Sequence, residues 1–176
     1  MKRIVIVGTT GSGKTTLARE LAAKLGLAHI DLDDLHHLPG WKERPREGFR
    51  RLLIEATQAE KWAIAGNYKA QSQDITFPMA DTIIWLDMPF WNNFWRLLER
   101  TVRRAYTGEM ICNGNTEPFW RQFYSKHSIL WWFLKTWHKN RKIYAAMFDN
   151  PQDHQHLALV RLCSYRQTRD FLDKAG

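Results

Sequence analysis

The stretch Ile4-Val5-Ile6-Val7-Gly8-Thr9-Thr10-Gly11-Ser12-Gly13-Lys14-Thr15-Thr16 decides how this chain is read. Its first four residues form an unbroken β-branched run, the pattern of a parallel strand buried on both faces. The next eight match G-x-x-x-x-G-K-[ST] at every fixed position. Leu17, Leu21 and Leu25 then recur at helical spacing, and Gly26 follows as a stop. Strand, glycine-rich loop and helix, in that order, are the context the motif requires. The glycines let backbone N–H groups turn inward around an anion in conformations that a Cβ would obstruct. Lys14 supplies a point charge to the β- and γ-phosphates, Thr15 offers a hydroxyl to Mg²⁺, and the helix aims its positive dipole end at the phosphates. Residues 8–16 are therefore the expected nucleotide cradle, with ATP and Mg²⁺ as the expected cofactors.

Outward from this loop, short apolar runs predict strands over 28–32, 62–65, 82–86 and 157–163. Helical spacing covers 46–60, 92–106 and 165–174, and a further aromatic and basic stretch over 117–148 is broken once near 125–128. Pro39, Gly40 and Pro45 mark a loop region. Strands alternating with helices predict an α/β protein, a five-stranded parallel sheet with helices on both faces. The 176 residues fit one domain. Hydrophobic residues at 44% and charged residues at 25% exclude a disordered or low-complexity chain. Cys112 and Cys163 stand far apart, so neither a disulfide framework nor a structural zinc site is supported. The apolar run before Gly8 is only four residues long, too short for the core of a signal peptide, and no stretch approaches 18 apolar residues. The expected compartment is the cytoplasm, with no membrane partner.

Asp31-Leu32-Asp33-Asp34-Leu35-His36-His37 lies just beyond the second strand, at the carboxyl edge where open α/β sheets bind ligands. Asp33 is the carboxylate favoured to help hold Mg²⁺ or to take a proton from an attacked hydroxyl. Asp31 and Asp34 fit that role and the capping of a turn equally well. His36 could contact a ligand, although adjacent histidines point apart on a helix and surface placement is the simpler expectation for His36 and His37. Gly66-Asn67-Tyr68 leaves the third strand at the same edge. Glycine there permits close substrate approach, and Asn67 and Tyr68 offer hydrogen bonds or a stacking face, unless the segment is a plain tight turn.

Together, Gly8 to Thr15, the Asp31 to His36 stretch, Gly40-Trp41, Arg44-Pro45, Trp62 to Tyr68, Ile84 to Pro89 and Leu159 to Leu162 resemble the bacterial "DNA topology modulation protein" group of adenylate-kinase-like P-loop proteins. The resemblance runs along nearly the whole chain. It implies a three-layer P-loop NTPase fold of nucleoside-monophosphate-kinase type, with an acceptor-binding insertion around 35–60 and a lid around 105–125. By the same likeness, Arg96 and Arg100 would serve the donor nucleotide, and Arg103, Arg104 and Arg141 would surround the transferring phosphoryl group. The chain departs from the group at Ala65, where relatives usually carry an Asp. Asp31 to His36 also resembles the D-x-D-x-x-H stretch of gluconate kinases, which points to a hydroxyl acceptor.

The net charge of +8 is local: between residues 96 and 142, ten Lys and Arg face only Glu99, Glu109 and Glu117, a balance of +7. Behind a phosphate loop, this favours a basic lid that closes over nucleotide phosphates, and hence a small-molecule kinase acting on a nucleotide, nucleoside or small hydroxylated metabolite. The alternative is an ATP-switched nucleic-acid binder. In that reading Phe119, Trp120, Phe123, Tyr124, Trp131, Trp132, Phe133 and Trp137 stack bases, although such spacing more often builds a helix seam. An interfacial membrane helix over 129–137 ranks lowest, because the run lacks a clean polar face.

Overall fold

A computed structural model describes residues 1–116 and 128–175. The chain runs β1 (Arg3–Gly8), α1 (Lys14–Leu25), β2 (Ala28–Asp31), α2 (Leu32–His36), β3 (His37–Leu38), β4 (Lys42–Glu43), α3 (Arg46–Ala56), β5 (Trp62–Ala65), α4 (Lys69–Met79) and β6 (Thr82–Leu86). It continues through α5 (Phe90–Thr107), α6 (Ile129–Asp149), a 3-10 turn (Pro151–His154), β7 (Ala158–Leu162) and α7 (Tyr165–Lys174). The five long strands form one sheet in the order β2-β5-β1-β6-β7, and every neighbouring pair is parallel.

Burial on both faces explains the continuous apolar strands. One face packs Ile4, Ile6, Ile84 and Leu86 against Leu17 and Leu21 of α1, with Phe171 and Leu172 of α7. The opposite face packs Val5, Val7, Ile64 and Trp85 against Phe49 and Leu53 of α3 and Tyr144 of α6. These are the three layers expected of the fold. Register then sets the site: Gly8 lies beside Leu86 and Leu86 beside Leu162, while Ala65 lies beside Ile6 and Asp31. The loops after all five strands therefore open at one edge of the sheet.

Several local expectations shift. The residues 46–60 do not form one helix, because α3 ends at Ala56, where the Thr57 hydroxyl donates to the carbonyls of Leu53 and Ile54. The loop region around Pro39 and Gly40 carries the small β3–β4 hairpin. Helix α4 was not anticipated, since its polar sequence and Pro78 give little apolar periodicity. The aromatic stretch over 117–148 is helical from Ile129 onward, while residues 117–125 of the expected lid and 125–127 of the expected break lie outside the described residues. Phe133 and Trp137 sit in a seam with Phe90, Phe94 and Leu97 of α5, as the packing reading requires. Trp131 and Trp132 are exposed. Phe119, Trp120, Phe123 and Tyr124 lie outside the described residues.

Candidate active site

The phosphate loop leaves β1 through three glycines at positive φ, Gly8 at 151°, Gly11 at 82° and Gly13 at 96°. A Cβ on Gly8 would fall 2.8 Å from the Leu86 carbonyl oxygen, so this position admits glycine alone. Thr9 is buried, and its hydroxyl accepts a hydrogen bond from the Asn93 amide of α5 at 2.6 Å. Ser12 is also buried, and its Oγ has no hydrogen-bond partner among the described residues. Thr10 is half-buried and Thr16 is exposed in the first turn of α1. Lys14 Nζ donates to the Thr9 carbonyl at 2.8 Å. Burial pulls its pKa down to about 8, with Asp33 and Asp31 opposing that shift and Arg100 adding to it.

Gly66, Asn67 and Tyr68 tie this loop to the acceptor side. Gly66 has φ 146°, and a Cβ there would sit 2.6 Å from Leu32 Cβ, so glycine lets β5 approach α2. The Asn67 side chain holds Gly8 from both sides: its Nδ2 donates to the Gly8 carbonyl, and its Oδ1 accepts from the Gly8 N–H at 3.4 Å. The Tyr144 hydroxyl of α6 donates to the same Oδ1 at 3.0 Å. Asn67 was expected to contact a substrate, but its amide is committed to the phosphate loop. Tyr68 behaves differently. Its hydroxyl donates to Asp33 Oδ1 at 2.8 Å and lies 3.3 Å from His37 Nε2. Burial, then Asp33, pushes its pKa far above the ordinary phenol value, so it stays a donor.

Asp31 caps α2 by accepting from the Asp33 N–H at 3.0 Å, and it also bonds the Thr15 side chain. Burial and the neighbouring Asp33 raise its pKa to about 6. Asp31 thus takes the capping role, and its bond to Thr15 sets it against the phosphate loop. His36 is buried, not at the surface, with its ring 4.4 Å from the Tyr68 ring and 5.7 Å from Phe49. It packs the floor beneath Tyr68.

The arginines divide. Arg100 acts electrostatically on Lys14. Arg96 stacks over the Tyr165 ring at 4.1 Å, and the Tyr165 hydroxyl reaches Asn93 at 3.3 Å. Arg104 and Arg103 face Glu109 at 3.6 and 3.4 Å. Arg141 donates to the buried Asp87 at 2.9 Å, as does Arg161 at 2.6 Å. Asn93, Tyr144, Asp87 and Arg161 were not singled out by role in the sequence. Only Asp87 carried a signal, an acid directly after a buried strand.

The cradle fits a phosphate-bearing ligand, given its three glycines at positive φ, an unpartnered buried Ser12 hydroxyl and a lysine with a depressed pKa. Thr15, Asp31 and Asp33 fit Mg²⁺, a hard cation that prefers oxygen and keeps water and phosphate ligands. Among the described residues no group of three or more His, Cys, Asp or Glu forms a metal cage, and none is needed for such an ion. The five-stranded parallel order, with the phosphate loop after the central strand, is the nucleoside-monophosphate-kinase-like class of P-loop fold.

The comparisons agree with that class. Residues 4–71 match the AAA domain family. The chain is 41% identical over 61 residues to the shikimate kinase of Parabacteroides distasonis, covering 30% of this chain and 34% of that one. It is 29% identical over 140 residues to the human protein "Threonine synthase-like 1", covering 71% of this chain and 19% of that one. The chain thus spans about a third of the one relative and about a fifth of the other. Among solved structures, the shikimate kinase of Acinetobacter baumannii in complex with shikimate superposes with TM-score 0.54 at 17% identity, covering 99% of this chain and 90% of that one. The gluconokinase of Sinorhizobium meliloti gives TM-score 0.50 at 15% identity, over 98% and 92%. No helix among the described residues is long and apolar enough to cross a membrane.

Proposed function

We propose that this chain transfers the terminal phosphoryl group of ATP to a hydroxyl of a small-molecule acceptor. One observation carries the reading: Asp33, held by Tyr68 through a 2.8 Å hydrogen bond, shares the electrostatic field of Lys14 in the phosphate loop. A carboxylate so placed accepts the acceptor's proton while the acceptor oxygen bonds the γ-phosphorus and the bond to the β–γ bridging oxygen breaks, releasing ADP. Lys14 and Arg100 offset charge on the phosphoryl oxygens. Thr15 and Asp31, with Asp33, would hold Mg²⁺, which supplies charge neutralisation on the phosphates when bound. His36 shapes the acceptor side by packing, and Arg96 beside Tyr165 is assigned to the donor nucleotide. Arg104 and Arg141 complete the lid side once released from Glu109 and Asp87.

Kinases among the relatives and fold neighbours support this reading over the nucleic-acid alternative. The same reading takes residues 1–176 as one kinase-like domain of the topology modulation group, working in the cytoplasm. It is tested by incubating the protein with Mg·ATP and a panel of sugar acids, polyols, nucleosides and nucleoside monophosphates. Transfer to a hydroxyl acceptor that disappears in Lys14→Ala is expected; no transfer to any member, at any protein concentration, would falsify it.

A further inference from the structure

The lid loop and the acceptor segment are clasped to one another. Residues 111–116 form a tight loop closed by two backbone hydrogen bonds between Ile111 and Asn115, at 2.7 and 2.8 Å. From this loop, Asn115 Oδ1 accepts from the Trp41 N–H at 2.8 Å, and its Nδ2 donates to the Leu38 carbonyl at 3.0 Å. Asn113 Nδ2 donates to the carbonyls of Asp34 and His37 at 2.8 and 2.6 Å. In return the Trp41 indole donates to the Thr116 carbonyl at 2.9 Å. Two lid asparagines thereby grip the end of α2, the helix that carries Asp33, and the β3–β4 hairpin that follows it. Asn115 is buried.

Backbone strain concentrates at the same place. Among the described residues, the non-glycine positions with positive φ are Trp41 at 57°, Cys112 at 40° and Asn113 at 62°. All three belong to the clasp. Such conformations persist where surrounding contacts over-determine them, and they relax when those contacts open.

The geometry points to Asn113 and Asn115 as positioning residues that fasten the lid loop to the acceptor segment, so that closure over the donor and presentation of Asp33 to the acceptor occur as one movement. This rests on the kinase reading above. A lid joined only to the donor side could close around ATP with no acceptor ordered, and water would then compete for the phosphoryl group. A lid joined to α2 and the hairpin closes both sides together.

Amide hydrogen exchange tests this with a nonhydrolysable Mg·ATP analogue as the probe. Without nucleotide, Asn115→Ala should exchange at least tenfold faster than the wild type across 37–43, while 62–65 is unchanged and reports an intact sheet. With the analogue, the wild type should slow exchange across 8–16 and 37–43 alike, and Asn115→Ala should slow only 8–16. Asn113→Ala, at an exposed position, should give the same pattern in weaker form and substitutes if Asn115→Ala fails to fold. A hairpin whose exchange is unmoved by either variant, or one that still responds fully to nucleotide in both, overturns the proposal. Absence of any slowing at 8–16 in the wild type refutes nucleotide binding instead, and the ligand-free comparison still decides the clasp.

Discussion

The Tyr68 hydroxyl donates to the Asp33 carboxylate at 2.8 Å, joining residues 35 positions apart in the chain. The bond orients one carboxylate oxygen and leaves the other for an acceptor. Asp33→Asn keeps the shape and a partner for Tyr68 but removes the carboxylate proposed as the base. It should lower the turnover of phosphoryl transfer by about 10²–10⁴, with the affinity for ADP within about twofold of wild type. Tyr68→Phe removes only the orienting bond, worth about 0.5–1.5 kcal/mol, and should cost roughly tenfold or less in turnover. Steady-state kinetics with the accepted panel substrate and calorimetric titration with ADP check both. Equal losses in the two variants would show that the carboxylate is not the base.

Asn67 fixes the first glycine of the phosphate loop by both faces of that residue's peptide groups. Asn67→Ala leaves the Gly8 N–H and carbonyl in a half-buried place without their partner, and removes the acceptor of the Tyr144 hydroxyl. Unmet polar groups of this kind cost about 1–3 kcal/mol. The expected result is a fall in unfolding free energy of that order, measured by urea titration, together with ADP binding weakened by at least tenfold. Asn67→Asp, which keeps an acceptor but loses the donor, should lie between Asn67→Ala and wild type.

The fold was legible because its determinants are local. Ile4 to Val7 and Trp62 to Ala65 are buried on both faces and therefore apolar throughout, and the phosphate loop needs its glycines and lysine at fixed spacing. The site was legible only in part. Asp33 and Tyr68 announce themselves by type and by their place at strand ends, but the bond between them is tertiary. Asn67 looked like a substrate contact because an amide at a sheet edge gives no sign that a backbone 59 residues away will claim it. His36 looked like a surface residue because burial against Phe49 and Tyr68 depends on how α2 packs on α3. Helix α4 escaped notice because its stability comes from contacts with α3, including the paired bonds from Arg50 to Asp74, and not from its own periodicity.

Lys14 sets a pH dependence. Its folded pKa of about 8 lies below the ordinary 10.5. Between those values the unfolded chain binds more protons, so the ligand-free protein gains stability as pH rises through that window. Nucleotide binding moves the opposite way, because phosphates favour the ammonium and the charge must be restored. Affinity for ADP, measured without divalent cations, should be flat below about pH 8 and then weaken as pH climbs toward 10. In Lys14→Ala the affinity should be low and independent of pH over that range. A flat wild-type profile would mean that the ammonium does not meet the phosphates.

Asp87 presents the last test. Its side chain is only 4% exposed, and it is held by Arg161 through Nε at 3.1 Å and a terminal nitrogen at 2.6 Å, and by Arg141 through Nε at 2.9 Å. The two guanidinium groups are nearly half in solvent and also lie over the Trp85 and Trp137 rings. A buried carboxylate with one remaining cation is still satisfied, whereas one with none is not. Arg141→Ala should therefore cost less than Arg161→Ala, which should cost about 1–3 kcal/mol. Arg141→Ala/Arg161→Ala should cost more than their sum by about 0.5–3 kcal/mol. In an Asp87→Ala background each arginine substitution should become nearly neutral, because a half-exposed guanidinium turns to water at little cost. Urea unfolding of the full cycle measures these terms. Simple additivity would mean that the two arginines act independently of the carboxylate, through their stacking on Trp85 and Trp137 alone.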